Sequence, residues 1–109
     1  MKNVYLMQVE GMDIYKIGNS KNPNSRVKGV QTGNPFKVIV LEFYPTKRAT
    51  KVEAALHNRF ALCKVTEDEM KLEGEWFRLN AEDRKNFKAT CELIDNNFRV
   101  IEEMSTLYN

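Results

Sequence analysis

Residues 14–27 read IYKIGNSKNPNSRV. The stretch starts as a strand, breaks at Gly18 and restarts as a helix at Pro23. Asn22 is a good N-cap, and Pro23 suits the first helical position, where its missing N–H is not needed. A plain strand-to-helix turn has no use for Lys16. Arg26 falls in the first helical turn, where the helix dipole disfavours a cation. Charges placed against local preference point to a functional stretch. Gly18 permits close backbone approach, and the polar loop Asn19-Ser20-Lys21-Asn22 leads to a helix start whose free N–H groups can face a phosphate.

Working outward, residues 3–9 (NVYLMQV) are rich in β-branched and aromatic types, and Glu10-Gly11-Met12-Asp13 has turn chemistry. Residues 3–18 therefore read as a hairpin. A short helix is expected from Pro23 to about Gln31, stopped by Thr32-Gly33-Asn34-Pro35. Residues 36–44 (FKVIVLEFY) give the strongest strand signal, and the VIVL run predicts burial on both faces or a central place in the sheet. Pro45-Thr46 opens a second helix, with Thr46 as its cap and a stripe of Ala49, Val52, Leu56, Phe60 and Cys63. Residues 64–75 read as a polar loop, interrupted by the apolar pair Trp76-Phe77. Asn80 caps a final helix over about 80–103, with Phe87, Cys91, Ile94, Phe98 and Ile101 as its stripe. The order β-β-α-β-α-loop-α predicts an α+β fold: a small antiparallel sheet flanked by helices, in one unit spanning 1–109.

The chain's 109 residues are 42% hydrophobic and 29% charged, as in a globular protein with one core. No apolar run approaches the ~20 residues of a membrane helix, so no membrane association is expected. Met1 leads straight into a strand-like segment, so no secretory leader is expected either. Cys63 and Cys91 lie on helical stripes without a CxxC pair and read as reduced core residues of a cytoplasmic protein. The net charge of +2 divides unevenly: residues 1–64 carry eleven Lys/Arg against four Asp/Glu, residues 65–109 six against eleven. A basic front and an acidic back suit nucleic-acid binding.

Several side chains can carry chemistry. Glu53 and His57, four apart, share one edge of the second helix beside its apolar stripe. A carboxylate held at a core boundary can ligate a hard cation such as Mg²⁺. An isolated Glu/His pair is, however, more often a solvated carboxylate and a boundary imidazole. Arg26 points toward the open end of the hairpin, where a guanidinium can stabilise charge on a phosphoryl group. Tyr5 and Tyr15, on the two hairpin strands, have hydroxyls that can orient a nucleophile. Trp76 and Phe77 read as a core plug.

The order of these pieces carries more than any one of them. Asn3-Val4-Tyr5, Tyr15-Lys16-Ile17-Gly18, Arg26, Gln31-Thr32-Gly33-Asn34-Pro35, Glu53-Ala54-Ala55-Leu56-His57-Asn58-Arg59-Phe60 and Glu75-Trp76-Phe77 occur in that sequence over residues 3–79. The set resembles the GIY-YIG nuclease superfamily, and within it the phage and meiotically-up-regulated-gene branch. The resemblance implies a three-stranded antiparallel sheet flanked by helices, and a metal-dependent phosphodiesterase acting on DNA in a bacterial or phage-infected cytoplasm. By motif, it implies Tyr5 as the first-motif tyrosine, Arg26 as the contact to the scissile phosphate and Glu53 as ligand to one divalent ion, Mg²⁺ or Mn²⁺. It places His57 at the leaving group or phosphate, and Tyr15, Gly18, Ser20 and Lys21 along the substrate.

Two positions depart from the pattern. Asn3 stands where the first motif has glycine, and Lys16 where the second has tyrosine. Adjacent strand residues face opposite sides of a sheet, so Tyr15 does not substitute. Lys16 acts as a base if desolvation and Arg26 lower its pKa; otherwise it binds phosphate as a cation and Tyr5 activates the nucleophile. Two functions are expected to compete: a small endonuclease, and a non-catalytic module binding nucleic acid or a host protein, with acidic segment 64–75 as one such surface. Nothing outside the nuclease-like unit reads as a recognition domain, so intrinsic sequence specificity is expected to be low, or to come from a partner protein or a homodimer.

Overall fold

Strand β1 (Lys2–Val9) buries both faces, Val4 and Leu6 on one side, Tyr5, Met7 and Val9 on the other. The computed structural model describes residues 1–66, 69 and 71–108. Gly11, at φ +79°, takes the left-handed conformation in the turn to β2 (Ile14–Ser20), where a side chain would be strained. The hairpin is antiparallel, with Tyr5 opposite Gly18 and Met7 opposite Lys16. Helix α1 (Pro23–Thr32) follows, its first turn capped by Asn22, whose Oδ1 accepts from the Ser25 N–H at 3.3 Å.

The sheet departs from expectation in two ways. Among the described residues it has four strands, not three, all antiparallel, in the order β3-β1-β2-β4. The extra strand, β4 (Phe77–Arg78), pairs with β2 only at Tyr15 and Ile14. Two residues are too few to leave an alternating pattern in sequence. The second correction concerns β3 (Val38–Thr46), which lies at the edge instead of the centre, with Phe43 47% exposed. The central strands are β1 and β2. An edge position also explains how β3 runs through Pro45, which lacks a ladder donor. Helix α2 (Ala49–Arg59) accordingly starts later than Thr46, and the Thr46 hydroxyl instead accepts from the Arg48 N–H at 3.0 Å.

After a 3₁₀ turn (Ala61–Cys63) and β4, the expected single helix is two: α3 (Ala81–Lys85) and α4 (Phe87–Tyr108). Asn80 caps the first, its Oδ1 accepting from the Asp83 N–H at 2.8 Å. On one face of the sheet, Val4, Leu6 and Ile17 pack with Val52 and Leu56 of α2 and Phe87 and Cys91 of α4. On the other, Met7, Val9 and Ile14 meet Val30 of α1 with Leu72 and Trp76. Burial pushes the Cys91 thiol up to about 12, which keeps it a thiol in the core. Arg48 ties α4 to the sheet, meeting Asp95 at 3.1 Å and Glu102 at 2.8 and 2.9 Å; Asp95 also accepts from the Tyr44 hydroxyl at 2.8 Å.

Within the acidic segment, Glu67 and Asp68 lie outside the described residues. Glu69 meets Arg78 at 3.4 Å, and Glu75 meets Lys64 at 2.9 Å. Among the described residues, no helix is long and apolar enough to cross a membrane.

Candidate functional site

Because β4 covers only Ile14 and Tyr15, the outer edge of β2 has no strand beside it from Lys16 onward among the described residues. Backbone groups at such an edge need other partners. Helix α2 supplies one: His57 Nε2 lies 2.7 Å from the Ile17 carbonyl oxygen. The edge opens into a cleft of about 290 Å³ lined by Tyr5 of β1, Lys16, Ile17, Gly18 and Asn19 of β2, Arg26 of α1, Glu53 and His57 of α2, and Glu75.

Register decides who reaches the cleft, and from which side. Tyr5, Lys16 and Gly18 share the sheet face that carries α1, with Tyr5 and Lys16 as diagonal neighbours across the hairpin. The Tyr5 ring lies directly over Gly18, so a Cβ at that position would overlap the phenol. Asn19, of opposite parity, faces α2, and its Nδ2 donates to Glu53 Oε1 at 2.9 Å. The sheet edge is therefore where groups from both faces converge.

Lys16 is enclosed. Gly74, at φ +89°, passes close enough that a Cβ there would stand 2.7 Å from the lysine Nζ, which lies 5.5 Å from the centre of the Trp76 ring. Burial, and then the Arg26 charge, lower the Lys16 pKa below its ordinary value, against the opposing pull of Glu53 and Glu75. Burial raises the Tyr5 hydroxyl, partly offset by the Arg26 guanidinium beside it. Among the described residues, neither Lys16 nor Arg26 forms an ion pair. Both also line an adjoining cleft of about 310 Å³ with Gly29, Asn34 and Glu73. Two cations at the junction of two clefts suit an extended anion.

His57 is engaged on both sides. Its Nδ1 lies 2.8 Å from Glu75 Oε2, and its Nε2 faces the Ile17 carbonyl. Both partners are acceptors, so each ring nitrogen has an oxygen placed to receive its proton. This arrangement leaves neither nitrogen open to a substrate oxygen. Lys64 joins the array, and bonds from Lys64 and then His57 hold the Glu75 carboxyl below its usual range.

Tyr5, Lys16, Gly18, Arg26, Glu53 and His57 are thus gathered in one cleft. Three other residues of the expected set are not. Tyr15 is buried on the opposite face among Phe77 and Leu79, its hydroxyl 3.3 Å from Gln8 Nε2. Ser20 uses its hydroxyl to accept from the Asn22 N–H at 3.1 Å, and Lys21 is exposed outside the cleft. Sequence reasoning missed Asn19 and Glu75 as supports of Glu53 and His57. The parity of Asn19 with Ile17 was the available signal for the first; Glu75 meets His57 only through tertiary folding.

Two carboxylates line the cleft; Glu75 is engaged by Lys64 and His57, which leaves Glu53, unpaired with any cation among the described residues, as the better hard-metal ligand. Among the described residues, no group of three or more His, Cys, Asp or Glu gathers to cage a cation. One oriented carboxylate, completed by phosphate oxygens and water, nevertheless fits Mg²⁺ or Mn²⁺, which retain water readily. A larger cleft, about 610 Å³, lies elsewhere, at the start of α2, where Arg48 and Glu102 neutralise each other.

The chain belongs to the T5orf172 domain family, whose model matches residues 3–94. The domain is found in phage proteins and in proteins associated with HNH- and GIY-like nucleases. No curated protein and no solved structure matches the chain.

Proposed function

We propose that this chain is a small metal-dependent DNA endonuclease of GIY-YIG type, hydrolysing a phosphodiester bond. The observation that carries the reading is the convergence of Tyr5, Lys16, Arg26 and Glu53, drawn from β1, β2, α1 and α2, on one cleft at an open sheet edge. Arg26 binds a non-bridging phosphate oxygen and offsets its charge. Lys16, whose ammonium is disfavoured by burial, accepts a proton from the attacking water. Tyr5, kept neutral, donates a hydrogen bond that orients the water or phosphate. Glu53, held by Asn19, carries the divalent ion, which when bound supplies Lewis-acid polarisation of the phosphate. His57 holds the strand edge to the Glu75 segment.

Relaxation of supercoiled plasmid with Mg²⁺ or Mn²⁺ tests this. Glu53→Gln keeps an amide oxygen for the Asn19 bond, so it should fold normally and lose metal-dependent nicking. Arg26→Ala should lose nicking at least about 10²-fold. Undiminished nicking in either variant overturns the mechanism.

One observation favours a second reading, a non-catalytic nucleic-acid-binding module: a lysine stands at the second-motif tyrosine position, and a cation there can serve binding alone. That reading predicts salt-sensitive DNA binding without cleavage under any divalent ion.

A further inference from the structure

Among the described residues, helix α4 turns one of its faces into the domain. Cys91, Ile94, Asp95, Phe98 and Glu102 follow the 3.6-residue period and turn toward the core and Arg48. On the opposite side, Leu93, Val100, Met104 and Leu107 are 55%, 44%, 52% and 80% exposed. With Asn97 they fall at spacings of four, three, four and three, which is the spacing of a coiled-coil seam. Leu93, Val100 and Leu107 take one core position of the repeat; Asn97 and Met104 take the other. The stripe runs about 21 Å along the helix, on a molecule 51 Å long and only 28 by 22 Å across. Most of it lies beyond residue 94, where the family match ends.

We propose that this stripe is the interface of a symmetric dimer in which two copies of α4 pair in parallel. Three observations select a second copy of this chain. The seam is self-complementary, as a two-fold interface requires. Its apolar residues, with the flanking Ile101, are 44% to 80% exposed, and their complete burial in both copies would remove on the order of 1,000 Å², the lower bound for a specific interface. The single polar residue of the seam fixes orientation. Parallel pairing sets Asn97 against Asn97 of the second copy, where two amides satisfy each other; antiparallel pairing sets Asn97 against Val100 and leaves the amide unpartnered. Helix α4 packs on α2 and β3, whereas the candidate cleft opens at the β2 edge. The dimer therefore leaves both clefts uncovered and presents two of them in one particle. The inference does not depend on the nuclease reading, and its test uses no activity.

Light scattering after size exclusion, over a concentration series, should give twice the monomer mass of 12.7 kDa. Val100→Glu combined with Leu107→Glu changes exposed positions only; it should give the monomer mass with an unchanged circular-dichroism spectrum. Asn97→Cys should form a reducible covalent dimer under mild oxidation, while the wild-type chain, treated identically, should not. A wild-type monomer at every concentration overturns the proposal, as does a dimer that survives the double glutamate variant. A dimer dissolved by the glutamates but not cross-linked through residue 97 overturns the parallel register.

Discussion

Gly18→Ala adds one methyl group where β2 passes beneath the Tyr5 ring. The new Cβ would overlap the phenol oxygen and Cζ and stand 3.0 Å from Cε1. Ordinary contact begins near 3.4 Å, so the ring must retreat by on the order of 1 Å. Tyr5 is buried, packed between the β1–β2 hairpin and α1, so any retreat of the ring is into the cleft it lines, away from its place beside Arg26. Overpacking of this kind costs about 1–3 kcal/mol, or roughly 5–20 °C in melting temperature for a domain of this size. The effect on reaction is separable. A misplacement of ~1 Å at a reacting group costs about 10²-fold in rate, close to 2.7 kcal/mol of barrier. Thermal unfolding and plasmid nicking should be measured on Gly18→Ala, Tyr5→Phe and the double variant, each well below its melting point. Removing the hydroxyl relieves part of the overlap, so the double variant should be more stable than the sum of the single losses by at least about 0.5 kcal/mol. Its nicking should stay low, because the hydroxyl is absent. Wild-type stability together with wild-type nicking in Gly18→Ala would refute both the packing argument and the place given to Tyr5.

Two further predictions follow from the charges. A base must be neutral, and the Lys16 pKa lies below its ordinary 10.5, so nicking should rise with pH and level off below that value. Lys16→Arg, charged throughout, should keep DNA affinity and lose at least about 10²-fold in rate; an arginine variant of undiminished rate would instead make Lys16 a phosphate-binding cation. In the core network, burial works to raise Asp95, but bonds from Tyr44, Thr46 and Arg48 outweigh it and hold the carboxyl below its ordinary 3.8. Its contribution to stability is therefore complete above that ordinary value and lost as pH falls through the lowered one. Melting temperature should drop on acidification below about pH 4, and Asp95→Asn should lower it at neutral pH while flattening the acid limb.

How much of this was legible in the sequence depended on the range of the interaction. The hairpin and α1 with its Asn22 cap are local patterns, readable within about two residues; the second-helix stripe was local too, but it overran the end of α2 at Arg59 to Cys63, which lies in the 3₁₀ turn. Gly18 was conspicuous, but only the paired register shows that the Tyr5 ring is what needs the space. The VIVL run misplaced β3, because an apolar run reports burial and not neighbours; a strand under helices at a sheet edge carries the same letters as a central one. Strand β4 left no period to find. The motif order brought six site residues together in advance, whereas Tyr15 fell on the wrong face by the parity of the strand itself. Asn19 and Glu75 escaped notice because their work is done on side chains 34 and 18 residues away.

The departure at Lys16 need not disable the site, because the cleft treats a lysine and a tyrosine in complementary ways. Burial disfavours whichever protonation state is charged. For tyrosine that state is the anion, and Tyr5 is raised; for lysine it is the cation, and Lys16 is lowered. Both shifts favour a neutral amine beside a neutral phenol, which is one proton acceptor and one proton donor. Two buried tyrosines would both be driven toward the donor form, and one would have to ionise against burial to accept a proton. Arg26 acts on the two groups in different senses: its positive charge adds to burial in opposing the Lys16 ammonium, and at Tyr5 it favours the phenolate and only partly offsets burial. Under the proposed mechanism, Lys16 is thus the residue for which desolvation assists the acceptor role, with Arg26 left to the phosphate and Glu53 to the ion.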